Sequence, residues 1–293
     1  MEIKKNNTTK KWLIGCGIGC GVVIILVVFL VVGGVIFVKN MANSFEESED
    51  ILNDLTEKYG EIEDYCPSPS GFIESGRMEA FVKIRELVKP LADELKKSID
   101  FLSAEGDGRK GENKREKESA GIFKKIREGV GLFPKIAEFL KERNQVLLEV
   151  GMGIGEYYYI YTMAYYCWLD KPLTDGLPIN INKDSDFDYQ YWEDEETIEI
   201  RQDLAVRRLH NMILPMLKNQ YSGLLENSDL DISEDWKNAL EREIKLMERN
   251  RYRLVWQDGL PEEIQASLEP YRDCLESGYI SSINSIEFMI EPK

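Results

Sequence analysis

The chain has 293 residues, 53 of them acidic against 37 basic, for a formal net charge of -16, and only one histidine. So acidic a chain lacks the basic footprint that nucleic-acid phosphates demand, so no nucleic-acid partner is expected. A lone histidine, His210, with no CxxC spacing anywhere, also excludes a histidine-rich zinc or haem site.

The first predicted element follows Lys10 and Lys11 and runs from Trp12 to Val38, 27 residues without a charge. At about 1.5 Å per residue such a helix crosses a hydrocarbon core of roughly 30 Å with some tilt. A secretory signal has an apolar core of about 7 to 15 residues and ends in a small-residue cleavage site, whereas this run continues to Lys39. A permanent transmembrane helix over 12–38 is therefore expected. Leu13-Ile14-Gly15-Cys16 spells a lipoprotein box, but such a box follows the apolar core and this one precedes it. Gly15 with Gly19, and Gly17 with Gly21, are small-xxx-small pairs that let helix backbones approach closely in lipid. They predict a homo-oligomer through the span; the bland alternative is that these glycines face lipid.

Residues 1–11 carry Lys4, Lys5, Lys10 and Lys11 against Glu2, a net +3, whereas Lys39 to Asp64 holds two lysines and nine acids. Lysine bias sets orientation, so the tail is expected in the cytoplasm and residues 39–293 outside a bacterial cytoplasmic membrane. Taking the tail's +3 from -16 leaves that outer part at -19. Its cysteines, Cys66, Cys167 and Cys274, sit where disulfides are permitted. The odd number leaves at least one unpaired, and buried thiols are the expectation, with one disulfide as the alternative.

Phe45, Leu52, Leu55, Tyr59 and Ile62 repeat with heptad spacing on an acidic background, which predicts a helical stalk and linker over 39–69. Cys66-Pro67-Ser68-Pro69-Ser70-Gly71 breaks the chain, with Ser70 a candidate cap and the folded domain expected over 70–293. Phe81, Ile84, Val88, Leu91 and Leu95 then form one helical stripe, with Pro90 expected to kink it. The segment 103–119 is almost devoid of apolar residues and predicts a mobile loop. Helical periodicity resumes at Ile122 and restarts at Pro134, a residue suited to a first turn.

Gly151-x-Gly153-x-Gly155 superficially resembles a phosphate loop. No strand precedes it and no Lys follows, so close helix packing or a helix break is the reading. From Glu156 to Leu169 aromatic groups fall on nearly every face, which predicts a central helix enclosed by others. Its phenols then need hydrogen-bond partners. Later helices are expected over Glu193 to Leu225, Ser233 to about Trp256 and Pro261 to about Leu275, with a short one carrying Ile280, Ile283, Ile286 and Ile290. Ser233, followed by Glu234 and Asp235, has the form of an amino-terminal cap. With no alternating strands, the fold class is all-α: a transmembrane helix, a stalk and an extracytoplasmic helical bundle.

Few constellations suggest chemistry. In DSDFDYQYWEDE, counting Asp184 as the first position puts Asp186, Asp188, the Gln190 carbonyl and Glu195 in the ligand order of an EF-hand loop for calcium. Against it, Tyr189 occupies the position of the turn glycine and no helix precedes the loop. His210 lies on an apolar stripe with Val206 and Leu214 and reads as a helix histidine rather than a base; Arg201, Arg207 and Arg208 read as partners of nearby acids. Abundant acids leave room for a carboxylate-dependent hydrolase but do not point to one.

The opening Lys10-Lys11-Trp12-Leu13-Ile14-Gly15-Cys16-Gly17 and the closing Leu260-Pro261, Leu268-x-Pro270-Tyr271 and Tyr279 pattern resemble uncharacterised bacterial single-pass envelope proteins with a helical outer domain. The resemblance implies the topology and brings no activity or catalytic residue. The expectation is therefore a membrane-anchored binding or scaffold protein of the bacterial envelope, its partner another envelope protein. The alternative is an anchored hydrolase acting on envelope glycans.

Overall fold

The computed structural model describes residues 50–104, 134–173, 195–226, 232–281, 283 and 286–287, and every regular element among them is helical. The expected span 12–38, with Gly15, Gly17, Gly19 and Gly21, lies outside the described residues, as does 105–119 of the expected loop. No described helix is long and apolar enough to cross a membrane. The chain divides into Met1–Glu47 and Ser48–Lys293, and the second unit holds all the described residues.

In chain order the helices are α1 (50–59), α2 (Ser75–Ala104), α3 (134–150), α4 (Ile154–Tyr161), α5 (Glu195–Glu226), α6 (Glu234–Arg249), α7 (Glu262–Leu268) and α8 (Arg272–Gly278). A 3-10 turn at Ile62–Asp64 follows α1, and a π-helical stretch, Thr162–Trp168, prolongs α4.

The aromatic run forms the centre of the domain, as its pattern predicts. Tyr157, Tyr161 and Tyr165 are fully buried, and Phe81 of α2 meets all three rings at 5.3 to 6.4 Å. Around this axis α2 supplies Phe81, Ile84, Val88 and Leu95, the stripe read from the sequence, and α3 supplies Ile136, Phe139, Leu140 and Leu147. The helix α2 continues through Pro90 to Ala104. It begins at Ser75, and Ser70 does not cap it: the Ser70 hydroxyl pairs with that of Ser68 at 2.9 Å.

The amino end of the compact unit departs from expectation. Of the heptad residues, Phe45 lies outside the described residues, whereas Leu55 is fully buried and Ile62 nearly so, both within the core rather than on a separate stalk, and the unit begins at Ser48 rather than at Ser70. Heptad spacing marks an apolar stripe but not what covers it, and here the cover is the domain itself. The glycines make this possible. A Cβ on Gly153 would stand 2.8 Å from the Tyr59 Cβ, and one on Gly155 would stand 2.5 Å from the Ile62 carbonyl oxygen. The Gly-x-Gly-x-Gly run is thus a packing surface, as read from the sequence.

The later helices hold their predicted places with shifted ends. Ser233 caps α6, its hydroxyl accepting from the Trp236 amide at 3.1 Å. α6 stops at Arg249 because Asn250 turns extended and its side chain accepts from the Tyr252 amide. The single helix expected from Pro261 is divided at Glu269–Tyr271, where Pro270 has no N–H to donate. Ile280, Ile283 and Ile286 are all buried.

Candidate functional site

The chain between the 3-10 turn and α2 is irregular apart from a turn at Ser68–Gly71, where the Gly71 amide donates to the Ser68 carbonyl at 3.0 Å. Its carbonyls are taken by side chains of distant helices: Asn219 Nδ2 donates to Glu63 at 2.9 Å, Gln220 Nε2 to Ser68 at 2.7 Å and Trp236 Nε1 to Pro69 at 2.8 Å. Gly71 has a φ of +79°, and a Cβ there would press into the Trp236 ring at 2.8 Å, so glycine is required twice over. The Ile73 amide donates to Ser267 Oγ of α7 at 3.0 Å. Held this way, the segment forms one wall of a cavity of about 260 Å³. The first turn of α2 and the start of α4 form the rest.

Its apolar lining comes from Tyr65, Pro67, Phe72, Ile73 and Tyr159. The rings of Tyr65 and Tyr159 lie 5.7 Å apart and tilted, while Phe72 stands 49% exposed at the rim. The charged lining is Glu74, Arg77 and Glu156. Arg77 Nε donates to Glu156 Oε1 at 2.6 Å, and its Nη2 donates both to Glu156 Oε2 and to the Gly151 carbonyl, the latter at 3.2 Å. Glu156 sits in the first turn of α4, where the helix dipole favours an anion. The bond to Glu156 pushes the Arg77 pKa up. Burial first, and the Glu156 charge second, hold the Tyr65 phenol far above its ordinary range, so it is a neutral hydroxyl.

A second polar cluster is closed to solvent. Arg85 Nη1 donates to Glu287 Oε1 at 2.5 Å and to the Tyr157 hydroxyl at 2.8 Å, and Arg85 Nη2 donates to the Gly278 carbonyl at 3.0 Å. The Arg85 guanidinium also lies 5.1 Å from the Tyr161 ring centre. Burial is the largest influence and works against its charge, but the Glu287 carboxylate and the surrounding tyrosines together outweigh it and raise the Arg85 pKa. Arg143 donates to Tyr158, whose hydroxyl in turn donates to the Glu287 carbonyl at 2.8 Å. These groups frame the fold: they fasten α2, α3 and α4 to the carboxyl-terminal segment.

Asp184, Asp186, Asp188 and Gln190 lie outside the described residues, and Glu195 opens α5. Among the described residues no group of three or more potential metal ligands occurs. His210 is buried on α5, and its ring is engaged by the Arg253 backbone. Arg207 stacks on Tyr252 at 5.9 Å. Cys66, Cys167 and Cys274 are all free, with no disulfide among them, and the buried-thiol expectation fails for Cys66 and Cys274, which are exposed. Cysteine type alone favours burial, but Cys66 lies in the proline-rich break and Cys274 on the outer face of a short helix.

The cavity residues Tyr65, Phe72, Glu74 and Arg77 escape sequence reasoning because their stretch of chain carries no periodic signal and meets Glu156, 79 positions beyond Arg77, only through the fold. The one local signal is Glu156, a charge at the head of an otherwise aromatic run. Chemically the arrangement suits recognition. The fully buried carboxylates among the described residues, Glu243 and Glu287, are both held by arginines, Arg253 and Arg85. Compared with known family models, curated proteins and solved structures, the chain finds no match.

Proposed function

We propose that the chain is a membrane-anchored binding protein of the bacterial envelope, its helical domain lying outside the cytoplasmic membrane and engaging another envelope protein at the cavity between α2, α4 and residues 65–74. The observation that carries this reading is the cavity itself: a rim phenylalanine 49% exposed, two tyrosine rings within, and a charged lining whose one arginine is already occupied. The uncharged run 12–38 and the lysine-rich tail before it support the anchor and its orientation. Association of anchors through Gly15, Gly17, Gly19 and Gly21 belongs to the same reading.

The test has two arms. Protease added to spheroplasts digests the domain if it lies outside, and digestion only after permeabilisation refutes the orientation. A photo-crosslinking residue at Phe72 in intact cells gives a defined adduct that the same group at Leu87, an exposed site on α2, does not give. Equal labelling from both positions refutes the cavity as the docking site.

A further inference from the structure

We propose that the cavity takes the ammonium group of a lysine side chain presented by the partner protein. This rests on the binding reading above and adds the chemistry of what is bound.

Charge decides between ligand classes. Glu74 and Glu156 bring two negative charges to the lining and Arg77 one positive, a local excess of one negative charge within a chain of net charge -16. Arg77 spends its Nε and Nη2 on both oxygens of Glu156 and on the Gly151 carbonyl, so its charge is already balanced. An anionic group entering here would meet two carboxylates and a single cation that one of them already holds. A cation meets the reverse situation. Each carboxylate oxygen has a second lone-pair site beyond the bond it already accepts, so Glu156 can hold Arg77 and still attract a second cation.

The aromatic lining supports the same class. Tyr65, half-buried, and Tyr159, buried, both line the cavity with rings 5.7 Å apart at a 53° tilt, and aromatic rings attract ammonium groups within about 6 Å of the centroid. Phe72 and Ile73 supply apolar surface along which a methylene stem can lie while its charged head goes deeper. Size excludes larger guests: about 260 Å³ falls below the roughly 300 to 1,000 Å³ of ordinary small-molecule sites and suits a single side chain. A neutral apolar side chain would bring nothing to offset the excess negative charge of the lining.

The experiment uses the purified full chain in detergent micelles, with the peptide acetyl-Gly-Lys-Gly-amide and its Nε-acetyl-lysine counterpart as probes, read by NMR shifts of the protein. The lysine peptide is expected to shift residues around Phe72 and Arg77 saturably. The acetylated peptide is expected to bind roughly tenfold more weakly or not at all, as loss of one charged contact implies. Glu74→Gln should weaken the lysine peptide by a similar factor, while Glu86→Gln, at an exposed carboxylate on α2, should not. Equal binding of the two peptides, unchanged binding to Glu74→Gln, or absence of any saturable shift overturns the lysine assignment. A Phe72-specific adduct in cells alongside a silent lysine peptide overturns this inference alone and leaves the binding reading standing. If Phe72 and Leu87 label equally, it is the binding reading that fails.

Discussion

Tyr157 donates its hydroxyl hydrogen to Glu287 Oε2 at 2.5 Å, tying the centre of the domain to a residue 130 positions later in the chain. The same carboxylate receives Arg85, so a single acid satisfies a phenol and a guanidinium that are both excluded from water. Removing one member of such a cluster leaves the others buried without a partner, and this penalty exceeds what the pair contributes when complete.

Glu287→Gln is therefore expected to lower unfolding free energy by about 3 to 5 kcal/mol, seen as a lower denaturation midpoint in urea followed by tryptophan fluorescence. The double variant Arg85→Met with Glu287→Met should lose less than the sum of the two single changes, because it leaves no buried charge of that pair unopposed. Strict additivity would show that the two residues do not act together.

The glycines of the 151–155 run make a sharper packing test. Gly155→Ala drives a methyl group against the Ile62 carbonyl and the Tyr65 Cβ, at 2.5 and 2.8 Å, and should cost about 1 to 3 kcal/mol as the 3-10 turn, and α1 with it, is pushed off the core. Gly76→Ala meets nothing within 4 Å in the first turn of α2 and should be neutral or stabilising by up to about 1 kcal/mol. Hydrogen exchange at Leu55 should accelerate in the first variant and not in the second.

The thiols should divide by environment. Cys66 and Cys274 are exposed, whereas Cys167 donates to the Val255 carbonyl at 3.3 Å and burial pushes its pKa up strongly. An aromatic disulfide reagent is expected to label Cys66 and Cys274 in the native protein and Cys167 only after denaturant is added, with peptide mapping to assign the sites.

His210 gives the domain a pH dependence of known sign. Burial holds its pKa below the ordinary 6.5, partly offset by its bond to the Arg253 backbone. The unfolded chain therefore takes up a proton at this site before the folded one does, so stability falls as pH drops below about 6.5 and levels off for this group once the folded pKa is passed. Denaturation midpoints between pH 7.5 and 5.5 should show that decline, and His210→Asn should flatten it.

What could be read from the sequence follows from what is local. The α2 stripe, the Ser233 cap and the aromatic axis each depend on spacing within a single helix, and each appears where periodicity places it. The stalk did not, because the pattern Leu55, Tyr59, Ile62 is the same whether the covering surface is another copy, a partner or the chain's own Gly153 and Gly155. The cavity was invisible for a related reason: Tyr65, Arg77 and Glu156 have no shared spacing, and they meet only because Asn219, Gln220 and Trp236 pull the chain between α1 and α2 across the bundle.

That stitching also decides how the domain would carry a mechanical load. Tension entering ahead of residue 50 would pass through the carbonyls of residues 63 to 69 into α5 and α6 before it reached α2. The strip of chain that would bear the strain is continuous with the wall of the cavity, so stretching and occupancy would act on the same few residues.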